Sequence, residues 1–489
     1  MQAVVIGAGF GGIAAALRLR AKGYDVTVVD RCAQIGGRAQ VFERNGYRHD
    51  AGPTVITAPF LFDELFELFG EKFSDYVTLV ALKPWYRFHF SDGNHFDYGG
   101  TLEETLAEIA RVEPADCEGY KRLLAQSKAI FDCAFTQLSD QPFNHFLIMV
   151  KQIPKLLALR SYETVWQLVS RHLKNNQLRQ AFSIQPLLVG GNPFDTTSIY
   201  GLIHYLERAY GVHFAMGGTG AITSALSGLM NRQGIQLRLN QTVQSLTVKN
   251  QRVHQLVLEN GEVIDADLVV SNADPAHLYS NMVKPSDQAN ATRLKLNTAK
   301  YSMGLFVLYF GTIKQYPEVA HHTIWMGERY ESLLSDIFDD KVLTDDFSLY
   351  LHRPTATDPS FAPPGCDSFY VLCPVPNLLG QQNWTDEGPK LQKRVVTALS
   401  KTILPDLENT ITEAFYMTPN DFKHDYLSEN GAGFSVSPLF RQSAWFRFHN
   451  QSEGLKNLYL VGAGTHPGAG VPGVLCSAKV LDKLVPSLV

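Results

Sequence analysis

Cysteine pairs, metal-binding motifs and ATP-binding motifs are missing from this sequence, and each absence excludes a class of function. The 489 residues include six cysteines, none of them arranged as CxxC, so we expect free thiols and no disulfide framework. No HExxH motif and no P-loop occurs, so the sequence indicates neither a metal site nor an ATP site.

Excess positive charge and long apolar runs are missing as well. The 43 basic side chains stand against 48 acidic ones, and this net charge of −5 gives no support for a nucleic-acid partner. No uncharged apolar run reaches the roughly 18 residues of a membrane-crossing helix, so no transmembrane helix is expected. The chain starts directly with a predicted strand, which argues against a signal peptide. We therefore expect a peripheral protein on the cytoplasmic face of a membrane.

The sequence does contain a glycine-rich turn between an apolar run, 3–6, and a helix-like stretch, 14–21. In this turn, Gly7 permits a tight bend, Gly9 lets a pyrophosphate approach the backbone, and Gly12 allows close helix–strand packing. A second apolar run ends in Asp30, at the spacing where an acid binds an adenosine ribose hydroxyl. The pattern predicts a dinucleotide at the N-terminus of the first helix.

The segment after Asp30 distinguishes between dinucleotides. It contains Gly36-Gly37-Arg38, where the glycines suit a close backbone approach and the guanidinium can donate two N–H groups to phosphate. A nicotinamide-binding chain would normally continue its βαβ repeat here, and no second dinucleotide fingerprint is present. The segment resembles the GG-plus-Arg segment of FAD-containing amine oxidases and desaturases, so FAD is the predicted cofactor.

A second glycine-rich loop lies near the C-terminus. The strand-like residues 458–461 are followed by a loop, 462–473, that contains five glycines, and then by a helix that extends to about residue 484. We expect the N-terminus of this helix to face the flavin ring and to stabilise its anionic reduced form.

The nucleotide-binding pattern is divided among three pieces of chain, 1–75, 216–274 and 441–489, which predicts a discontinuous FAD-binding domain. Residues 76–215 between them read as mostly helical and membrane-facing, and residues 275–440 read as a substrate-binding domain with a mixed sheet. The predicted fold class is α/β. It combines a Rossmann-like FAD-binding domain of the amine-oxidase/GDI superfamily type with an interleaved mixed-sheet substrate domain and a helical, membrane-facing subdomain.

A more specific resemblance is carried by seven stretches spread over nearly the whole chain: 5–12, 50–57, 187–194, 305–311, 346–352, 442–447 and 457–470. They closely resemble the bacterial-type phytoene desaturases of carotenoid biosynthesis. The resemblance implies FAD-dependent conversion of 15-cis-phytoene, by successive hydride transfers to flavin, into more conjugated carotenes, most often lycopene. Because no second nucleotide site is predicted, the electrons would pass to oxygen, a quinone or another diffusible acceptor.

The site residues follow from the glycine motifs and from this resemblance. The predicted FAD-binding residues are Gly7, Gly9, Phe10, Gly11, Gly12, Asp30, Gly36, Gly37, Arg38, Val243, Gly462, Gly464, Thr465, Gly470 and Val471. Loss of hydride from an allylic carbon leaves a cation that must release a proton, and the sequence does not identify the base. The flavin itself and four side chains, Glu207, His204, Asp195 and His466, are open candidates, and each side chain is also compatible with a structural role.

Substrate delivery depends on a free-energy cost. Placing a hydrocarbon of roughly 40 carbons in water costs on the order of 30 kcal/mol, at about 0.8 kcal/mol per carbon. We therefore expect a lipophilic carotenoid to enter from a membrane surface. In the segment 146–160, apolar residues are interrupted by Lys151, Lys155 and Arg160. A buried helix pair with solvated lysines and a helix lying in the membrane interface both fit this pattern, and the delivery problem favours the second.

Three other functions remain open at this stage. The first is a related carotenoid oxidoreductase: a diapophytoene desaturase, a hydroxycarotenoid dehydrogenase or a carotene isomerase. The second is an amine oxidase, which would release peroxide with amines. The third is a flavin-free chaperone of prenylated proteins, like the Rab-binding dissociation inhibitors, and the intact phosphate-binding glycines argue against it.

Overall fold

The computed structural model describes residues 1–489, and a five-stranded parallel sheet forms the centre of its nucleotide-binding part. All neighbouring strands in this sheet run in the same direction. In spatial order they are Leu458–Leu460, Leu268–Ser271, Gln2–Ile6, Asp25–Val29 and Gln236–Arg238. The strand Leu268–Ser271 lies between the first strand and the last strand of the chain, so it joins the three pieces of the nucleotide-binding part in one sheet.

Both faces of this sheet are covered, which explains why its strands are apolar almost throughout. Val5 faces helices on one side, whereas Val4 and Ile6 face a three-stranded antiparallel sheet on the other. The covering helices are Phe10–Ala21, Gly218–Arg232 and Val471–Leu484, and the antiparallel strands are Val243–Lys249, Arg252–Leu258 and Val263–Asp265. Asn260-Gly261, a residue pair that favours tight hairpin turns, lies between the last two strands.

A second, mixed sheet of seven strands builds the other half of the molecule. Its order is Ile411–Met417, Gly304–Thr312, Asp367–Val375, Leu349–His352, His322–Trp325, Tyr86–His89 and His95–Tyr98. Neighbours are antiparallel except where His322–Trp325 meets Tyr86–His89. The last two strands come from the stretch 76–215, which was expected to be mostly helical. The bounds proposed for the three domains stay a prediction.

Helices fill the space beside this sheet. Those of the stretch 76–215 are Leu102–Val112, Cys117–Ala134, Phe146–Ala158, Val165–His172, Asn176–Ser183 and Leu202–Tyr210. Capping boxes formed by Thr101 with Glu104 and by Thr164 with Gln167 begin two of them. The other helices are Phe60–Glu67, Pro275–His277, Asn290–Thr298, Glu331–Ser335, Trp384–Ser400, Leu407–Thr410 and Pro419–Tyr426. Two separate antiparallel strand pairs complete the fold. Val41–Arg44 and Tyr47–Asp50 form a hairpin, and Leu79–Ala81 pairs with the distant strand His213–Ala215.

Two expectations from what the sequence lacks can be checked directly. All six cysteines are free, as predicted, and three of them, Cys133, Cys373 and Cys476, are buried. None of the helices combines the length and the apolar character that a membrane-crossing helix needs.

Candidate active site

The first glycine-rich turn joins the first strand to the first helix and leaves no room for a side chain at Gly9 or Gly12. Gly7 has a φ of +94°, in the left-handed region that favours glycine. A Cβ atom at Gly12 would overlap the carbonyl oxygen of Gly7, and one at Gly9 would lie 2.8 Å from Asn272 Nδ2. The bare backbone thus forms a cradle at the helix N-terminus, where unpaired N–H groups favour a phosphate.

Asp30 is buried at the end of the second strand, beside this cradle. Its Oδ2 accepts the backbone N–H of Ala8 at 2.6 Å, and its Oδ1 accepts that of Cys32 at 2.7 Å. Burial raises the pKa of the Asp30 carboxyl, and the two N–H donors oppose this shift. The carboxylate therefore holds the glycine turn in place, at the position expected for a ribose contact.

Arg38 approaches the same cradle from the paired glycines. A Cβ atom at Gly37 would lie 3.4 Å from Gly9 Cα, so the two glycine segments touch. Arg38 Nη2 donates to Ser428 Oγ at 2.7 Å, whereas its buried Nε has no partner. Burial lowers the pKa of this guanidinium. A cradle of bare backbone next to an unpaired guanidinium N–H fits the pyrophosphate of FAD.

Asn272 lies between the glycine segments of this region, although no motif in the sequence includes it. A Cβ atom at Gly11 or at Gly462 would lie 2.6 Å from Asn272 Oδ1. This amide therefore separates the first glycine-rich turn from the C-terminal loop. Its position directly after the strand Leu268–Ser271 was the available signal, because ligands of open α/β sheets bind at the carboxyl ends of strands.

The C-terminal loop is fixed from behind by Arg447, another residue that the sequence analysis missed. The Arg447 side chain is fully buried, and its Nη2 donates to the carbonyl oxygens of Ala463 at 2.6 Å and Val436 at 3.1 Å. The loop ends at Gly470, whose φ is +91°, and the helix Val471–Leu484 begins there, earlier than the predicted loop 462–473 implies. A buried cation thus lies behind the loop that was expected to meet the flavin ring.

One continuous cavity of about 580 Å³ connects these features. It extends from the first glycine turn, past the C-terminal loop, to the helix Phe146–Ala158, and most of its lining residues are hydrophobic. The predicted FAD-binding residues on its wall are Gly7, Gly9, Phe10, Gly11, Asp30, Gly36, Gly37, Arg38, Val243, Gly464, Gly470 and Val471. Gly12, Gly462 and Thr465 lie behind the wall, where Thr465 donates to the carbonyl oxygen of Gly462 at 3.0 Å.

Of the four candidate bases, Glu207 and His466 line the cavity. Glu207 is completely buried: Tyr86 donates to its Oε1 at 2.9 Å, and its Oε2 has no partner. Burial raises the pKa of Glu207 to about 8, so this carboxyl is mostly protonated at neutral pH. Burial lowers the pKa of His466 to about 4, and its Nε2 donates to the carbonyl oxygen of Leu138 at 2.9 Å.

The other two candidates lie away from the cavity. His204 is buried against the ring of Phe182, and burial lowers its pKa to about 4. Asp195 is exposed and accepts a hydrogen bond from Asn192 Nδ2 at 3.3 Å. Neither side chain faces the space where a substrate could react.

Comparison with known proteins identifies the family. Residues 10–479 match the family described as flavin containing amine oxidoreductase. The chain belongs to this family. The predicted flavin cofactor and the predicted amine-oxidase type of fold are thereby confirmed.

The flavoprotein resembles individual members closely. It is 46% identical to a phytoene desaturase (lycopene-forming) of Pseudescherichia vulneris over 486 residues, which are 99% of each chain. It is 44% identical to a phytoene desaturase (lycopene-forming) of Pantoea ananas over 482 residues, 98% of each chain. The predicted resemblance to bacterial phytoene desaturases is confirmed. The crystal structure of an oxidoreductase from Methanosarcina mazei shares the fold, with a TM-score of 0.68 at 16% identity, over 99% of this chain and 100% of that one.

The glycine cradle leads to a test of nucleotide binding. Because a side chain at Gly9 would occupy the space reserved for pyrophosphate, Gly9→Val should lower the flavin content of the purified protein about tenfold or more, equivalent to at least about 1.4 kcal/mol. The ratio of flavin absorbance to protein absorbance measures this content.

A double variant separates phosphate exclusion from a simple clash. Asn272→Ala removes the group nearest to a Cβ atom at position 9. The flavin content of the Gly9→Val/Asn272→Ala protein should stay low, below that of the Asn272→Ala control. Recovery of the control's flavin content in the double variant would contradict the pyrophosphate assignment.

Proposed function

We propose that this chain catalyses the FAD-dependent desaturation of 15-cis-phytoene, with lycopene as the main product. The observation that carries the proposal is the single cavity that leads from the nucleotide cradle to an exposed apolar helix. The near-full-length similarity to two lycopene-forming phytoene desaturases supports this choice over other carotenoid oxidoreductases.

The walls of the cavity suit a substrate without polar groups. Leu187, Leu305, Val307 and Leu372 are among the side chains that line it. When bound, FAD supplies the hydride acceptor that oxidation of a C–H bond requires. The apolar walls hold the polyene in place and exclude water, which would otherwise capture the positive charge that develops on the substrate.

We propose Glu207 Oε2 as the atom that takes up the proton lost from the substrate. This oxygen is buried without a hydrogen-bond partner, and its residue lines the cavity. Tyr86 donates to the other oxygen and so orients the carboxyl group. Because the pKa of Glu207 is raised to about 8, the fraction of ionised carboxylate that can accept a proton grows as the pH rises through that value.

The electron acceptor and the place of reaction complete the proposal. No second dinucleotide fingerprint is found in the sequence, which supports oxygen or a quinone as the acceptor. A quinone, like the carotene, dissolves in the bilayer, so both would reach the protein from the same side.

We propose that the helix Phe146–Ala158 binds the membrane surface. Phe146, Leu147 and Leu157 are 52%, 71% and 59% exposed, an unusual arrangement for apolar side chains on one short helix. Met149 and Leu156, on the neighbouring face, line the cavity. The helical period turns Leu156 towards the cavity, whereas Leu157 next to it points outwards. The same helix would thus contact lipid and form part of the cavity entrance.

The function is tested by product analysis. The FAD-loaded protein is incubated with liposomes that contain 15-cis-phytoene, and the carotenes are extracted and separated by chromatography. We expect phytoene to disappear and lycopene to accumulate, with less desaturated carotenes appearing first. Unchanged phytoene together with consumption of diapophytoene, or with peroxide release from amines, would contradict the proposal.

The role of Glu207 predicts a pH dependence. The turnover number of the native protein should increase as the pH rises through about 8, because ionisation creates the proton acceptor. Glu207→Gln keeps an oxygen that accepts from Tyr86 but cannot take up the proton, so its turnover should be at least about tenfold lower and should lack this rise. Full turnover in Glu207→Gln would contradict the assignment.

Thermal unfolding of the same two proteins checks the pKa independently of catalysis. A folded-state pKa above the unfolded value means that the stabilising contribution is complete below about pH 4.5 and is lost as the pH rises through about 8. Native protein should therefore lose a few kcal/mol of stability relative to Glu207→Gln over this range, at about 1.4 kcal/mol per pKa unit. Parallel pH profiles would show that the carboxyl is not perturbed.

Membrane binding is tested by liposome flotation. Lys151→Glu/Lys155→Glu/Arg160→Glu should weaken partitioning onto anionic liposomes roughly 100-fold, since each basic residue contributes about 1 kcal/mol near the surface. A matched control reverses the charge of three exposed lysines elsewhere, Lys249, Lys284 and Lys401, and should bind nearly as well as native protein.

Two outcomes of the flotation experiment would contradict the proposed membrane contact. Native protein that stays in the aqueous fraction, yet still desaturates phytoene in liposomes, would exclude stable attachment. Equal loss of binding in the two triple variants would show that net charge, and not this helix, determines the attachment.

A further inference from the structure

Three histidines on two adjacent strands of the seven-stranded sheet form a buried cluster behind the cavity wall. His322 and His352 are cross-strand partners, and His321 directly precedes the first of these strands. His322 and His352 are fully buried, and His321 is 5% exposed. One ring nitrogen from each of the three lies within 4.8 Å of the other two.

The Nδ1 atoms of two of these rings already have hydrogen-bond partners. His321 Nδ1 lies 2.7 Å from Thr357 Oγ1, and His322 Nδ1 lies 2.7 Å from the hydroxyl of Tyr350. The Nε2 atoms of both rings are buried and have no partner. Metal-binding histidines show this arrangement, in which one nitrogen is fixed by a hydrogen bond and the other remains for the ion.

The third ring is backed by a carboxylate. Both ring nitrogens of His352 lack a hydrogen-bond partner, and its Nε2 lies 3.7 Å from Asp50 Oδ2, which also lacks one. The other Asp50 oxygen accepts the N–H and the hydroxyl of Thr219 at 3.0 and 2.8 Å. Each unsatisfied buried polar group costs about 1–3 kcal/mol, so four such side chains in one place need a common partner.

We infer that His321, His322 and His352 bind a divalent transition-metal ion, for which zinc is the best match. Imidazole nitrogens suit zinc, and three protein ligands leave one position for a water molecule. Asp50 supplies negative charge beside the ion. Arg353, the residue after His352, is neutralised by two hydrogen bonds to Asp367 at 2.8 and 3.2 Å.

The sequence predicted no metal site, because His352 is far from the other two ligands along the chain and the sheet pairing brings them together.

The location of the site suggests what the ion does. Tyr350 lines the cavity, and its hydroxyl is hydrogen-bonded to His322. The same hydroxyl lies 3.2 Å from Oγ1 of Thr54, which also lines the cavity. An ion on three ligands from two strands would fix this part of the wall. The proposed role is structural, and it does not depend on the identity of the substrate.

The test begins with the metal content of the protein. FAD-loaded protein is analysed by plasma mass spectrometry as purified, after dialysis against a chelator, and after return of Zn²⁺ or Co²⁺. We expect about one ion per chain to be retained after return, the intense visible absorption of a tetrahedral Co²⁺ site, and a higher unfolding temperature with the ion than without it.

Two variants and a matched control locate the ion. His322→Gln and His352→Gln should each lower the retained metal at least about tenfold, a loss of at least about 1.4 kcal/mol in binding. His49→Gln is the control, because His49 is also buried, with one nitrogen on the carbonyl oxygen of Phe369 and the other unpartnered, but lies outside the cluster. It should retain the ion.

The inference is overturned by either of two results. The first is native protein that takes up less than about a tenth of an equivalent and shows no Co²⁺ spectrum. The second is equal metal retention in the control and in folded cluster variants. Because the Co²⁺ titration uses native protein, it decides the question even if a variant fails to fold.

Discussion

A hydrocarbon of this size must reach the flavin without crossing water, and the molecule is arranged around that constraint. A transfer cost on the order of 30 kcal/mol, at about 0.8 kcal/mol for each of roughly 40 carbons, excludes free diffusion. The structure meets this cost with one cavity that extends from an exposed apolar helix to the glycine cradle. Nucleotide and substrate would therefore share a single enclosed space, with the reacting carbon near the C-terminal loop.

The two halves of the fold divide this task. The parallel sheet places its glycine turn, Asp30 and Asn272 at the carboxyl ends of its strands, where backbone N–H groups favour an anion. The seven-stranded sheet supplies part of the apolar wall. The helix Leu202–Tyr210 contributes a buried carboxyl group, that of Glu207, to the same cavity. In such surroundings the unpartnered oxygen of Glu207 has a raised pKa, which suits it to exchange a proton near neutral pH.

Local signals explain what the sequence could predict. Gly7 and Gly12 are required by the geometry of one short turn. Asp30 directly follows the next strand, Asp25–Val29, so the spacing of these residues was sufficient to predict the nucleotide cradle. The hairpin at Asn260-Gly261 is likewise a matter of adjacent residues. These features follow from turn chemistry and hydrophobic period, which act over a few residues.

Long-range pairing explains what the sequence could not predict. The strands Tyr86–His89 and His95–Tyr98 join a sheet whose other members lie more than two hundred residues further on. The same is true of Arg447 behind the C-terminal loop and of the three clustered histidines, whose neighbours are set by tertiary packing. The burial of Glu207, which raises its pKa, could not be predicted either, because its helix contains both polar and apolar residues.

The most direct measurement of the central claim is a crystal structure of the protein with FAD and a carotene bound. The shared cavity predicts that the nucleotide lies across the Gly7–Gly12 turn and that the polyene extends from the loop 462–470 towards Met149 and Leu156. Carotene bound outside this cavity, or a nucleotide that fills it completely and leaves no path to the helix Phe146–Ala158, would contradict it.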